Sequence, residues 1–302
     1  MATTPRTTTT TPQRRPPEPV PLAVWPVAQQ TAPVQRAGRY LSGSTAHPGK
    51  MLPALAARII TEYSAPGDLV VDPMCGTGTT MVEAALQGRR AVGVELEERW
   101  TELARANLDA ALGRDARRLA EVRTGDATAL PGPLADVAGR VDLVCTSPPY
   151  ACEAGVIDKA GWIAGRRMCP PETLNYSADP ANLGHARGRA YAAAMAQVYA
   201  GCHELLGPGG LLVVVTKNTR RAGKLLDLAA LTVSLGRLAG FSYLQHVIAL
   251  HAAVRDAELV GRPSYWQLSA VRAARGRGQP VHLVAHEDVI VLRKDGGPAD
   301  GR

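Results

Sequence analysis

The chain has 302 residues, of which 46% are hydrophobic and 4% aromatic, so it can hold one large domain whose core is built from Ala, Leu and Val. Thirty-four Lys and Arg against 27 Asp and Glu leave a formal charge of +7, which favours a polyanionic partner, although an excess of this size is often just solubility. Five cysteines without a CxxC pair argue against a disulfide framework or a zinc site and point to the cytoplasm, and no apolar run approaches the roughly 20 residues of a membrane span.

Residues 1–39 begin MATTPRTTTTTPQRRPPEPVP, a Thr/Pro-rich stretch with no apolar signal core, and are expected to be disordered. Arg6, Arg14 and Arg15 could make this a nucleic-acid-binding arm, although a solvated tail is the favoured reading. A folded domain is expected over 40–295, followed by a flexible tail at 296–302. Apolar spacing predicts a helix over 50–63, and DLVVD (68–72) reads as a short buried strand. TTMVEAALQG (79–88) reads as a helix closed by Gly88, RAVGVE (90–95) as a strand and 97–112 as a long Ala/Leu helix. LAEVRT (119–124) and VDLVC (141–145) supply strands three and four. A helix over 190–206, ended by GPGG, leads into LLVVVT (211–216). A helix over 223–239 precedes YLQHVIAL (243–250), and HEDVIVLR (286–293) is the last strand.

This alternation predicts an α/β fold, a doubly wound, mostly parallel seven-stranded sheet covered on both faces. Residues 151–187 and 251–285 interrupt it as two insertions of weak periodicity, and loops of that length in a compact domain are usually functional.

After the first strand comes DPMCGTGTT, Asp72 to Thr80, opening a helix. Gly76 and Gly78 would let a ligand approach the backbone, at the strand ends where doubly wound sheets bind ligands. A dinucleotide fingerprint needs a third glycine where Met81 stands, and a P-loop needs Lys where Thr79 stands, so both phosphate readings fail. Glu95 ends the second strand, placed to accept hydrogen bonds from ribose hydroxyls. Asp126 follows the third, placed to receive an adenine amino group. One acid ending each of three strands suits a nucleoside carrying a charged amine; helix capping could explain Asp72 or Asp126 singly.

The fourth strand runs into TSPPY: Thr146, Ser147, Pro148, Pro149 and Tyr150. At this point the sequence resembles the DNA amino-methyltransferases that use S-adenosylmethionine. DPMCGTGTT looks like their cofactor motif, with Met74 where Phe is usual, and TSPPY like their catalytic motif. HPGKM (47–51), RRAGKLLDLAALTVSLGRLAGF and HEDVIVLRK extend the resemblance over roughly residues 40–295. It implies a Rossmann-like methyltransferase domain with S-adenosylmethionine as cofactor. Cofactor binding would fall to His47, Asp72, Pro73, Met74, Cys75, Gly76, Thr77, Gly78, Thr79, Glu95, Leu96, Asp126 and Ala127.

An exocyclic amino group is a poor nucleophile because its lone pair is delocalised into the base. Hydrogen bonds to Ser147 Oγ and a carbonyl of the Ser147–Pro148 turn would localise that pair, while the prolines fix the turn. The ring face of Tyr150, rather than its hydroxyl, would stack an extruded base. Serine before Pro-Pro resembles the cytosine-N4 branch more than the adenine-N6 branch. Transfer-RNA guanosine N2-methyltransferases are an alternative, though they usually carry Asp before the prolines and Gly after the tyrosine, where this chain has Ser147 and Ala151. A non-catalytic nucleic-acid-binding module is a third reading, disfavoured by the intact motifs.

The cofactor motif precedes the catalytic motif here, leaving no room between them for a recognition domain, so target reading must fall to an insertion or to a specificity-providing protein partner. The first insertion holds Trp162, Arg166, Arg167 and Tyr176 and is formally neutral. The second interleaves Arg262, Tyr265, Trp266, Arg272, Arg275 and Arg277, suited to phosphates and exposed bases of DNA, or of RNA under the alternative. A solvated loop with Trp266 tucked into the core is an equal reading. TKNTRRAGK (216–224) adds four positive charges on the ligand edge, and the seven histidines show no metal spacing.

Overall fold

The computed structural model describes residues 20–296 apart from 48, 114–115, 151–178, 222–223 and 264. Most of the first insertion, with Trp162, Arg166, Arg167 and Tyr176, lies outside the described residues, as do Arg6, Arg14, Arg15 and most of the C-terminal tail. The strands are β1 (Val24–Pro26), β2 (Leu69–Asp72), β3 (Arg90–Glu95), β4 (Ala120–Thr124), β5 (Val141–Thr146), β6 (Leu206–Thr216), β7 (Thr219–Arg221), β8 (Lys224–Leu226), β9 (Phe241–Leu250), β10 (Ala252–Arg255), β11 (Glu258–Gly261) and β12 (His286–Lys294). The helices are α1 (Ala32–Arg36), α2 (Pro53–Tyr63), α3 (Thr79–Leu86), α4 (Glu98–Leu112), α5 (Ala116–Leu119), α6 (Gly188–Leu205), α7 (Leu228–Leu238) and α8 (Tyr265–Gly276).

Eight strands form the main sheet in the order β1-β9-β12-β6-β5-β2-β3-β4. Of these, β12 alone runs antiparallel, wedged between β9 and β6. The chain leaves β2 outward through β3 and β4, then returns to place β5 on the other side of β2. Ligands in doubly wound sheets bind outside the strand ends at such a reversal, and here Asp72 and Thr146 end the two strands that flank it.

The period-two alternation of the strands sorts the core into two layers. Val213, Val215, Val289 and Val291 face Leu55, Ile59 and Ile60 of α2 and Met81 of α3. Leu212, Val214, Ile290 and Leu292 face Met195, Val198 and Tyr199 of α6 and Leu228 of α7. The helix expected from 50 begins at Pro53, where the missing N–H costs nothing, and Gly78, at φ 80°, turns the chain into α3.

The expected sheet of seven strands is corrected to eight. The additional strand, β1, comes from the segment expected to be disordered: Val24–Pro26 pairs in parallel with β9, Trp25 is buried, and Gln35 and Arg36 of α1 are buried too. Gln35 explains the order, its Nε2 donating to the Val27 carbonyl while its Oε1 accepts from the Ala54 N–H of α2. The helix expected from 223 begins only at Leu228, because Lys224–Leu226 pairs with Thr219–Arg221 as a hairpin and Asp227 caps α7 through the Ala230 N–H. The second insertion is not an irregular loop: it holds the β10–β11 hairpin and α8.

Candidate active site

The glycine loop is held by its own carboxylates. Asp72 Oδ2 accepts from Thr80 Oγ1 at 2.7 Å and Oδ1 from the Met74 N–H at 3.1 Å. Glu95 receives the Gly76 N–H at 2.9 Å on one oxygen and the Glu97 N–H at 3.0 Å on the other. Burial pushes the Asp72 carboxyl up to about 6 and the Glu95 carboxyl up to about 7, each partly offset by these donors. Gly76 must be glycine for two reasons: its φ is 53°, and a Cβ there would stand 3.1 Å from His47 Nε2. A Cβ on Gly78 would meet Ala104 Cβ of α4 at 3.1 Å, so this residue also sets the approach of the loop to α4.

The structure brings together the loop residues Asp72 to Thr79, His47 and Glu95. His47 is buried with its ring edge-on to Trp100 at 4.8 Å, and desolvation drives it down to about 3, so it is neutral at pH 7. Pro73, Cys75, Thr77 and Thr79 are buried, while Met74 and Leu96 stay partly open. Burial raises the Cys75 thiol well above its ordinary value, which makes it an inert packing residue. Asp126 accepts the Thr128 N–H at 2.8 Å and so caps the short turn that begins at buried Ala127. The capping alternative therefore holds for Asp126, and a carboxylate retains acceptor capacity beside one such bond. The arginine Arg36 donates to the Met51 carbonyl at 2.7 Å and approaches Thr79 Oγ1 at 3.5 Å; the sequence offered no sign of it.

TSPPY continues straight from β5. Thr146 pairs with Val214 and is fully buried; Ser147 and Pro149 are partly open and Pro148 is buried. Tyr150 is 9% exposed, more enclosed than a free stacking platform, and its hydroxyl donates to Glu287 Oε1 at 3.2 Å. Glu287 lies near the start of β12, which as the antiparallel strand begins at the edge where its parallel neighbours end. Its Oε2 lies 3.0 Å from His251 Nε2, and Lys217, buried at the end of β6, adds positive charge nearby. Those neighbours hold the Glu287 carboxyl below its ordinary range against the opposing effect of burial. Lys217 was read only as one of the four positive charges of TKNTRRAGK, and His251 and Glu287 were not singled out from sequence, although His-Glu heading an otherwise apolar strand was the available signal. Asn182 was also missed: from the end of the first insertion it donates to Glu97 Oε1 at 2.8 Å, beside the Glu95 carboxylate.

The basic residues of the second insertion divide. Arg262 is not a free phosphate ligand: its guanidinium donates to the Ala28 carbonyl at 2.9 Å and the Gln29 carbonyl at 3.4 Å, tying the insertion to the N-terminal segment. Trp266 lies within α8. Arg272 and Arg275 lie three residues apart on α8 with Arg277 just beyond, and all three are exposed. Arg275 also donates to the Val281 carbonyl at 3.0 Å. Among the described residues no helix is long and apolar enough to cross a membrane, and no His, Cys, Asp and Glu side chains group as a metal site would require.

Sheet order, antiparallel β12 and the glycine loop at the reversal together make this a Rossmann-like methyltransferase fold. Residues 4–106, about a third of the chain, match the family model described as DNA methylase. The chain is 45% identical over 58 residues to the type II methyltransferase M.MthZI of Methanothermobacter thermautotrophicus, covering 19% of this chain and 16% of that protein. It is 38% identical over 77 residues to the DNA adenine methyltransferase YhdJ of Escherichia coli, 26% of each chain. It is 36% identical over 109 residues to a tRNA (guanine(10)-N2)-dimethyltransferase of M. thermautotrophicus, 36% of this chain and 30% of that one. The matched region thus spans less than a third of each of these relatives. Among solved structures, an S-adenosylmethionine-dependent O-methyltransferase of Thermotoga maritima aligns with a TM-score of 0.47 and 15% identity, over 83% of this chain and 68% of that one. The family match and these methyltransferase relatives agree with the family that the motifs resemble.

Proposed function

We propose that the protein transfers a methyl group from S-adenosylmethionine to an exocyclic amino group of a DNA base, cytosine N4 being the favoured target. The observation that carries this reading is the adjacency of the Asp72–Thr80 loop and the Thr146–Tyr150 turn, which leave neighbouring strands at the sheet reversal. The residues present fit the cosubstrate. Glu95 is a carboxylate already oriented by two backbone donors, with lone pairs left for ribose hydroxyls. Asp126 offers an acceptor to an adenine amino group, and the loop carries no lysine that would call for phosphates.

S-Adenosylmethionine supplies a methyl group on a positively charged sulfur. The protein's task is to hold the amino nitrogen in line with that carbon and to strengthen it as a nucleophile. Ser147 Oγ and the turn carbonyl accept the N–H groups, localising the lone pair, while Pro148 and Pro149 hold the acceptors in one direction. The Tyr150 ring stacks the extruded base. Burial around the loop keeps water from the transfer. Exposed Arg272, Arg275 and Arg277 supply contacts to the DNA backbone.

The kinship with a tRNA guanine methyltransferase favours RNA as the second reading. Mass analysis of nucleosides from DNA and RNA of cells with and without the protein separates the two. N4-methylcytosine in DNA supports the proposal, N6-methyladenine in DNA corrects the base, and an N2-methylated guanosine in RNA replaces it.

A further inference from the structure

We propose that Glu287 is a positioning residue that fixes the Tyr150 ring for base capture, with His251, at the root of the second insertion, holding the carboxylate in place. This rests on the methyl-transfer reading of the site. Tyr150 is the first residue after a rigid Pro-Pro turn, and nothing in the turn itself sets the angle of its ring. Its hydroxyl reaches across the sheet edge to Glu287 Oε1 at 3.2 Å, a bond between residues 137 positions apart. Glu287 is well placed to be the fixed partner. It stands at the start of β12, an interior strand, paired with Ala249 of β9 rather than on a loop. Its side chain is only 13% exposed, its second oxygen lies 3.0 Å from His251 Nε2, and Lys217 contributes charge from the end of β6. With the Lys217 charge and the His251 ring beside it the carboxylate stays ionised, so it acts purely as an acceptor and the tyrosine must donate, in the stronger charge-assisted form of hydrogen bond. A ring held this way has already given up the freedom that stacking an extruded base would otherwise remove.

His251 gives the interaction a further consequence. It is the first residue after β9, and its carbonyl accepts the Arg262 N–H that closes the β10–β11 hairpin. The chain His251–Glu287–Tyr150 therefore runs from the root of the insertion to the turn that follows Ser147.

The test uses the full chain with Tyr150→Phe, Glu287→Gln, Glu287→Ala and the Tyr150→Phe/Glu287→Gln double variant. Methyl transfer to plasmid DNA from a host without DNA methylation is followed with labelled cofactor, cofactor affinity by calorimetry, and the unfolding midpoint by scanning calorimetry. We expect Tyr150→Phe to lower kcat/KM about tenfold, as for one hydrogen bond to a charged acceptor. Glu287→Gln, whose amide oxygen still accepts, should lose less than Glu287→Ala. The double variant should be no worse than Tyr150→Phe alone, since once the hydroxyl is gone the acceptor at 287 has no bond left to weaken. Cofactor affinity should stay within about twofold of the parent in every variant. Losses that multiply in the double variant, or a Tyr150→Phe protein as active as the parent, overturn the proposal. If the parent binds cofactor but methylates no DNA, the substrate reading fails. The midpoint cycle then decides on the Tyr150–Glu287 bond alone: non-additive shifts uphold the Glu287 clamp and additive shifts overturn it.

Discussion

The two halves of the site are built differently. On the cofactor side, around β2, β3 and β4, the carboxylates bind backbone and hydroxyl donors of the strand-end motifs: Asp72 with Met74 and Thr80, Glu95 with Glu97 and Gly76, Asp126 with Thr128. On the target side, the polar groups are gathered from four segments, Tyr150 after β5, Lys217 after β6, His251 after β9 and Glu287 on β12. The first arrangement is a preformed cradle whose buried carboxylates lean toward protonation. The second is a sheet edge on which a long insertion is mounted. A methyl donor common to many reactions needs only the cradle, whereas choice of target must come from the assembled edge.

The sharpest way to break this division is Ser147→Ala. If Ser147 acts on the amino group chiefly in the transition state, the single-turnover rate should fall about 10²-fold with cofactor affinity nearly unchanged. Full activity in that variant would remove Ser147 from the target side. Next in size is Glu95→Ala, which removes two ribose hydrogen bonds to a charged acceptor. Affinity for S-adenosylmethionine and its demethylated product should weaken by about 1.5–3 kcal/mol, and equal binding in calorimetry would mean that Glu95 only braces Gly76.

The same carboxyl sharpens the comparison through pH. Its value in the free protein is raised from 4.5 to about 7, so its protonated form stabilises the free fold below about pH 4.5 and that contribution is lost as pH rises through 7. Asp72, raised to about 6, acts in the same direction. Ribose hydroxyls donate to the ionised form, so cofactor binding should draw a proton off Glu95. Affinity should then decline below pH 7, approaching about tenfold per unit, and Glu95→Gln should flatten that dependence. Calorimetry across pH 5.5–8 checks it, and identical profiles for parent and variant would refute it. The smallest effect belongs to the insertion. Neutralising Arg272, Arg275 and Arg277 together should reduce the slope of log DNA affinity against log salt by about one for each phosphate that the variant no longer neutralises. An unchanged slope would take α8 off the DNA backbone.

The same contrast decides what could be read from the chain. The carboxylates of the cofactor half sit at strand ends, so DPMCGTGTT, Glu95 and Asp126 announce it as spaced motifs, and the strands that carry them follow from short apolar runs between helical periods. β1 was not legible because three residues ending in Pro26 become a strand only through the waiting edge of β9. Lys224–Leu226 read as helix because leucines at that spacing suit either period, and pairing with Thr219–Arg221 decided it. The basic residues of the second insertion looked equivalent in sequence. The fold separates Arg262, whose guanidinium is occupied by Ala28 and Gln29, from the exposed arginines of α8. His251 belongs to no quoted motif and Glu287 only to the strand HEDVIVLRK, and strand pairing is what brings them to Tyr150.

The central claim is that cradle and edge together methylate an exocyclic amino group in DNA. The direct measurement incubates the purified protein with S-adenosylmethionine carrying a labelled methyl group and with unmethylated plasmid DNA, then digests the DNA and identifies the labelled nucleoside. The expected result is label on cytosine N4, dependent on Ser147. Label confined to cytosine C5 or to added RNA, or none in DNA while the protein still binds the cofactor, would contradict the account.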